Sequence, residues 1–153
     1  MRTRLSTETP DPFRWIRASA LIPILQGPTG AWGEKVASRY LERNGLIIIK
    51  RNWNSARLEA DIIGLEHRTL VVVEVKTRHS SLQETHRAVD AIDAKKLDRL
   101  HKLGSRFLSN NGPLCRRYGI KTLRIDGLEV YYRSGPLGCR IKTTIWRHRG
   151  LAG

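Results

Sequence analysis

Apolar residues recur at helical spacing between about Ala31 and Asn44, with Val36, Ala37, Tyr40 and Leu41 along one side, and predict a first helix. Asn44-Gly45 supplies a stop signal. The run Leu46-Ile47-Ile48-Ile49 is unbroken in its hydrophobicity and predicts the start of a strand buried on both faces. Two further strands are predicted over 58–66 and 69–77, divided by the polar pair His67-Arg68. A second long helix fits 94–109, with Leu97, Leu100, Phe107 and Leu108 on its apolar side. Two last strands are predicted near 120–132 and 139–146, with turns at Asp126-Gly127 and Ser134-Gly135-Pro136. Helix, three strands, helix, then strands is the order of a mixed α/β layer arrangement. Residues 1–29, rich in Thr, Pro and Arg and closed by Gly27-Pro28-Thr29-Gly30, read as a flexible arm ahead of one domain over 30–150.

The central hairpin gathers charge. With His67-Arg68 as a tight turn, residues facing each other across the strands carry numbers that sum to a constant, so Asp61 faces Glu74 and Glu59 faces Lys76. Side chains two apart share a face. Glu59, Asp61, Glu74 and Lys76 therefore cluster on one side, and Ile63, Leu65, Leu70 and Val72 continue that face as apolar surface. Ala60, Ile62, Gly64, Val71, Val73 and Val75 form the other, core-like face. Opposed like charges destabilise a strand pair by roughly 0.2–1 kcal/mol, so Asp61 against Glu74 calls for a cation. Two arrangements compete at this stage. One is a bound divalent ion assisted by Lys76; the other is a Glu59–Lys76 ion pair, with Asp61 and Glu74 tolerated at a wet edge.

Charge changes the picture next. Lys and Arg number 28 against 14 acidic residues, a formal net charge of +14. The surplus is uneven: residues 77–153 carry 16 basic and 6 acidic side chains, residues 34–76 only 8 and 6. A basic half beside a nearly balanced, carboxylate-bearing half suits a polyanion such as nucleic acid better than general solubility, the alternatives being a merely soluble basic surface and an anionic membrane surface that lacks an amphipathic anchor. On the second helix Lys95, Arg99, Lys102 and Arg106 fall within an arc of about 60°, a stripe that could follow phosphates or simply face water. Arg116-Arg117 and Arg147-His148-Arg149 extend the track.

Other chemistries find no support in the sequence. No apolar run approaches the ~18 residues of a membrane helix, and residues 14–26 lack the cleavage site of an export signal. Cys115 and Cys139 have neither disulfide-framework nor metal-ligand spacing, which fits a reducing cytoplasm. The five histidines show no ligand spacing, and no phosphate-cradling glycine loop is present.

Gly33-Glu34 opening a helix, then Glu59-Ala60-Asp61-Ile62-Ile63, then Val73-Glu74-Val75-Lys76-Thr77-Arg78 resembles the bacterial YraN family. That family has a predicted endonuclease fold and is similar to archaeal Holliday-junction resolvases and the wider P-D-(D/E)-x-K nucleases. The resemblance runs from about Gly30 to Tyr132, with Val89-Asp90, Lys96 and Arg124-Ile125-Asp126 as later landmarks. One departure stands out: the family pattern Gly-Glu-Ile-Asp is here Leu58-Glu59-Ala60-Asp61, with both acidic positions kept.

The resemblance implies a restriction-endonuclease-like α/β fold, a mixed sheet flanked by helices, and Mg2+- or Mn2+-dependent hydrolysis of phosphodiester bonds. DNA is favoured over RNA, branched or structured DNA in particular, and a resolvase-like role favours a homodimer because a junction offers paired cleavage sites. Asp61 and Glu74 become metal ligands, joined by the Val75 main-chain carbonyl; magnesium needs only one or two carboxylates and keeps several waters. Lys76 becomes the residue that orients the attacking water. Glu34 is expected either at a metal-bound water or as a helix first-turn acid favoured by the macrodipole. Glu59 and Lys96 are supporting residues. The competing expectation is a nucleic-acid-binding protein that keeps this fold without catalysis.

Overall fold

The computed structural model describes residues 14–17, 30–79, 92–134 and 140–151. The chain runs β1 (Arg14–Arg17), α1 (Gly30–Arg43), β2 (Ile47–Ser55), β3 (Leu58–Glu66), β4 (Thr69–His79), α2 (Ala94–Asn110), α3 (Gly112–Tyr118), β5 (Thr122–Ser134) and β6 (Arg140–His148). The strands form one six-stranded sheet ordered β1-β6-β5-β4-β3-β2. Only β4 and β5 pair in parallel; the other described neighbours are antiparallel. A parallel pair needs a long crossover, and the segment bearing α2 supplies it.

The two helices cover opposite faces. α1 lays Val36, Ala37 and Leu41 on Ile62, Val71, Val73, Val75, Leu128 and Val130. α2 lays Leu97, Leu100, Leu103 and Phe107 on Ile63, Leu70, Val72 and Ile125. This is the expected restriction-endonuclease-like α/β arrangement, a mixed sheet flanked by helices. The β3–β4 register is the one the turn at His67-Arg68 predicts, from Glu66↔Thr69 to Ile62↔Val73. His67 takes a positive φ of 54° to close the turn.

Several expectations need correction. Leu46–Ile49 does not open a strand buried on both faces: β2 is a sheet edge, and Ile47 is 59% exposed. Asp126-Gly127 is no turn, because both lie inside β5 in register with Val73 and Glu74. Ala60 packs with the α2-side cluster rather than beside Ile62. It does so because β3 parts from β4 beyond Ile62 while staying paired to β2 through Trp53↔Ala60, which breaks strict alternation. α3, opened by Pro113 and ended by a left-handed Gly119, was not anticipated. Within the stretch read as an arm, Arg14–Arg17 pair with β6 as an edge strand. The rest of that stretch, Val89-Asp90 and the turn residues Gly135-Pro136 lie outside the described residues.

Candidate active site

The site lies where β3 leaves β4. Past the last pair, Ile62↔Val73, the β4 backbone loses its β3 partner, and the Asp61 side chain fills the gap: Val75 N–H donates to Asp61 Oδ2 at 2.6 Å. A strand residue presents its N–H and C=O to the same neighbour, so the Val75 carbonyl opens onto the Asp61 side as well. Glu74, one residue earlier, is buried on the α2 face at 3% exposure. Lys76 Nζ donates to its Oε1 at 2.7 Å.

Lys96 reaches the same carboxylate from α2. Asp93 caps that helix by accepting from Lys96 N at 2.7 Å, which sets the helix start and with it the Lys96 stem. Lys96 Nζ stands 3.1 Å from Glu74 Oε2, inside ion-pair range yet off the line of a hydrogen bond, so this buried oxygen keeps an unused lone pair.

Glu34 arrives from the other face. A Cβ built on Gly33 would lie 1.6 Å from Thr77 Oγ1, so only glycine lets α1 settle this closely on β4 beside Lys76. Glu34 follows directly, and its charge is felt at Asp61. It lies beyond the first turn of α1, which holds no acidic residue, so the macrodipole account of Glu34 does not apply.

Burial, the largest influence, drives the Asp61 carboxyl up from 3.8 to about 6; the Val75 N–H bond opposes this, the charges of Glu74 and Glu34 add to the rise, and Lys96 opposes it. One carboxylate is therefore clamped by two amines, while its neighbour Asp61 is pushed toward neutrality.

The structure thus brings together Glu34, Asp61, Glu74, the Val75 main chain, Lys76 and Lys96. It leaves Glu59 out: that residue is exposed and pairs with Asn54 on β2, while Lys76 takes Glu74 as its carboxylate partner. The Glu59–Lys76 pairing fails because the β3–β4 ladder ends before reaching it. Lys95, Arg99, Lys102 and Arg106 all lie exposed on the outer side of α2, with Lys102 bonded to Asp98 at 2.6 Å. Among the described residues no group of three or more His, Cys, Asp or Glu side chains stands close enough to hold a metal by itself. The oxygen donors on offer are the two carboxylates and a main-chain carbonyl.

Sequence reasoning missed a second charged cluster. Glu66 and Asp126 are buried on the α1 side of the sheet, held by Arg124, Arg147 and Arg149. Arg147 Nη2 donates to Asp126 Oδ2 at 2.9 Å, and Gly150 N–H donates to Asp126 Oδ1 at 3.0 Å. Burial alone would raise both carboxyls, but the bonds and charges of the arginines hold them below their ordinary values. Arg147 and His148 are consequently buried and do not extend the basic track, contrary to the sequence expectation. His148 instead stands 3.4 Å from the buried Glu129. Only non-local pairing reveals these contacts, since the partners are up to 83 residues apart.

A family model described as "Uncharacterised protein family UPF0102" matches residues 33–130. A UPF0102 protein of Beutenbergia cavernae is 42% identical over 101 residues, covering 66% of this chain and 80% of the relative. One from Paenarthrobacter aurescens is 41% identical over 103 residues, 66% and 78% of the two chains. One from Chloroflexus aurantiacus is 36% identical over 117 residues, 76% and 89%. The matched span contains every residue of the site just described.

Proposed function

The chain belongs to the UPF0102 family, the YraN family of the sequence resemblance, and we propose that it is a divalent-metal-dependent nuclease hydrolysing phosphodiester bonds in DNA, branched or structured DNA above all. The observation that carries this reading is the parting of β3 from β4, which sets Asp61 beside the main chain of Val75 and next to Glu74. The donor set fits magnesium or manganese: two carboxylates, an outward carbonyl and an unused lone pair on Glu74 Oε2. Asp61, Glu74 and the Val75 carbonyl would hold the ion. Once bound, such an ion supplies a nucleophile at neutral pH, shields the phosphate and stabilises the leaving oxygen.

The remaining roles belong to the chain's own groups. Lys76 keeps its ammonium beside Glu74 and donates N–H bonds to an incoming water or phosphate oxygen. Lys96 offsets the second oxygen of Glu74 from the helix side. Glu34 adds negative field at Asp61 and accepts from a water held near it. Lys95, Arg99, Lys102 and Arg106 line the duplex phosphates along α2. Two such sites in a homodimer suit a junction with paired scissile bonds. Among the described residues no helix is long and apolar enough to cross a membrane, and the cytoplasm, where chromosomal DNA and free magnesium meet, is the compartment this activity fits.

One observation favours a second reading, a nucleic-acid-binding protein without catalysis: Lys76 and Lys96 already neutralise Glu74, so that carboxylate has its counter-charge without a metal. Incubating the protein with flap, junction and linear DNA, in manganese and in EDTA, separates the two. Metal-dependent cutting that Asp61→Ala abolishes while binding persists supports the nuclease. Binding without cutting in either condition supports the alternative.

A further inference from the structure

At the start of β4, five residues back from Glu74, the turn between β3 and β4 meets the segment joining α3 to β5. Lys121 N–H donates to the Arg68 carbonyl at 2.8 Å, tying the two together. Gly119 takes a left-handed φ of 59°, and the Arg68 guanidinium lies 3.2 Å from where a Cβ on Gly119 would stand. The last turn of α3 carries Arg116 and Arg117, and the Arg117 guanidinium sits 5.6 Å from the centre of the Tyr118 ring. Tyr118 as a residue is 42% exposed, and it and Ile47 are the two large hydrophobic residues exposed to this degree among the described residues. Neither 67–69 nor 111–122 contains an acidic residue. The nearby Glu66 is spent on Arg124, Arg147 and Arg149.

We propose that Arg68, Arg116, Arg117, Lys121 and Tyr118 form a second nucleic-acid contact, which grips the phosphates of an unpaired strand and stacks one of its bases on Tyr118. Four cations with no acid between them repel one another, and a polyanion relieves that repulsion. An exposed aromatic ring set among cations is the pairing that single-strand binders use, phosphate contact plus base stacking. The position fits the rest of the molecule. α2 begins at Ala94, sets Lys96 against Glu74 in its first turn and ends at Asn110, just ahead of α3, so its stripe of Lys95, Arg99, Lys102 and Arg106 leads from the candidate active site to this patch. Two rulers give the span. From Thr69 to Glu74 along β4 is roughly 17 Å at about 3.3 Å per residue. From Lys96 to Asn110 along α2 is roughly 21 Å at about 1.5 Å per residue. At about 3.4 Å per base pair, the patch engages a strand some five or six pairs from the reacting bond.

The inference rests on the polyanion-binding part of the proposed function and not on catalysis, so it is tested in EDTA, where no cutting intervenes. Fluorescence anisotropy of the full chain is followed over a salt series, on a blunt duplex and on the same duplex bearing a single-stranded extension. Arg68→Glu with Lys121→Glu is expected to flatten the salt slope on the extended DNA by about 1.4, at roughly 0.7 per lost contact with a single strand. Tyr118→Ala is expected to weaken the extended DNA about fivefold or more and leave the blunt duplex unchanged, with Tyr118→Phe restoring the parent value. Where the double charge reversal does not fold, Arg68→Gln with Lys121→Gln is read in its place. An unchanged slope overturns the patch, and equal losses on both DNAs in Tyr118→Ala overturn the stacking. A protein that never cuts but shows the flattened slope fails as a nuclease only. One that cuts with manganese while the slope stays put fails only here.

Discussion

Replacing Asp61 by Asn tests the site through stability rather than activity. Asp61 is half-buried between Glu74, Glu34 and the Val75 N–H, and its carboxyl is carried from 3.8 to about 6. For an acid raised in this way, the folded state is favoured while the group is protonated. That stability is complete below pH 4 and is lost as the pH rises through about 6. A rise of roughly two units at 1.36 kcal/mol per unit makes the ionised carboxylate cost at most about 3 kcal/mol at pH 8. Asn keeps the shape and still accepts from Val75 N–H, though more weakly than a carboxylate, so a net gain of about 1–3 kcal/mol is expected at pH 8. For a chain of this size each kcal/mol moves Tm by roughly 2–4 °C. Thermal or urea unfolding of parent and Asp61→Asn in EDTA at pH 4, 6 and 8 makes the comparison. The two should coincide near pH 4 and diverge steadily above it, with the variant more stable. Saturating manganese should then reverse the order at pH 8, because only the parent gains about 4.1 kcal/mol at a thousandfold excess over Kd. A difference independent of pH, or a variant less stable than the parent at pH 8 in EDTA, refutes the argument.

Three further outcomes follow from the same geometry. Gly33→Ala forces a methyl into Thr77 Oγ1 and should lift the start of α1, weakening manganese binding measured by water-proton relaxation as Glu34→Gln does, with Thr77→Gly partly restoring it. Asp126→Ala strips Arg124 and Arg147 of their shared buried partner and should cost about 3–5 kcal/mol in urea unfolding. Because Asp126 is held below its ordinary value, its contribution exists above about pH 4 and fades as the pH falls further, so parent and variant should converge in acid. Glu59→Gln should leave manganese affinity within about twofold, since Glu59 is exposed beside Asn54; a tenfold loss would place it in the site after all.

How much of the fold is legible in the sequence depends on locality. Period-two alternation and a two-residue turn specify the β3–β4 register outright, because a single slip would carry Ile62, Val71 and Val73 to the wrong face. Helical spacing likewise gave α1 and α2 within a residue or so at each end. The errors came where a distant partner decides. Leu46–Ile49 looks like a central strand by composition, yet sheet order makes β2 an edge, and nothing within those four residues records which strand lies beyond. Asp126-Gly127 looks like a turn because such pairs usually are. Here Arg124, Arg147 and Gly150 N–H satisfy the aspartate, which holds the chain extended. Lys96 entered as a candidate only through family resemblance, although Asp93 placed three residues ahead of it is a legible cap signal.

The same distinction bears on Leu58-Glu59-Ala60-Asp61, where the family pattern has glycine and isoleucine. Ala60 is fully buried in the α2-side cluster although alternation would put it on the other face. Its cross-strand partner is Trp53, which packs edge-on against Phe107 of α2 with ring centres 5.2 Å apart. A small side chain at 60 thus lies in the same cluster as a large one at 53, and Leu58 packs against that cluster as well. The consequence reaches the site through β3: anchored to β2 and to α2 on this side, the strand can leave β4 after Ile62 without stranding its own backbone. That departure is what frees the Val75 N–H for Asp61. In this chain Leu58 and Ala60 thus hold β3 to the α2-side cluster, and β3 parts from β4 just beyond, where the two carboxylates come together.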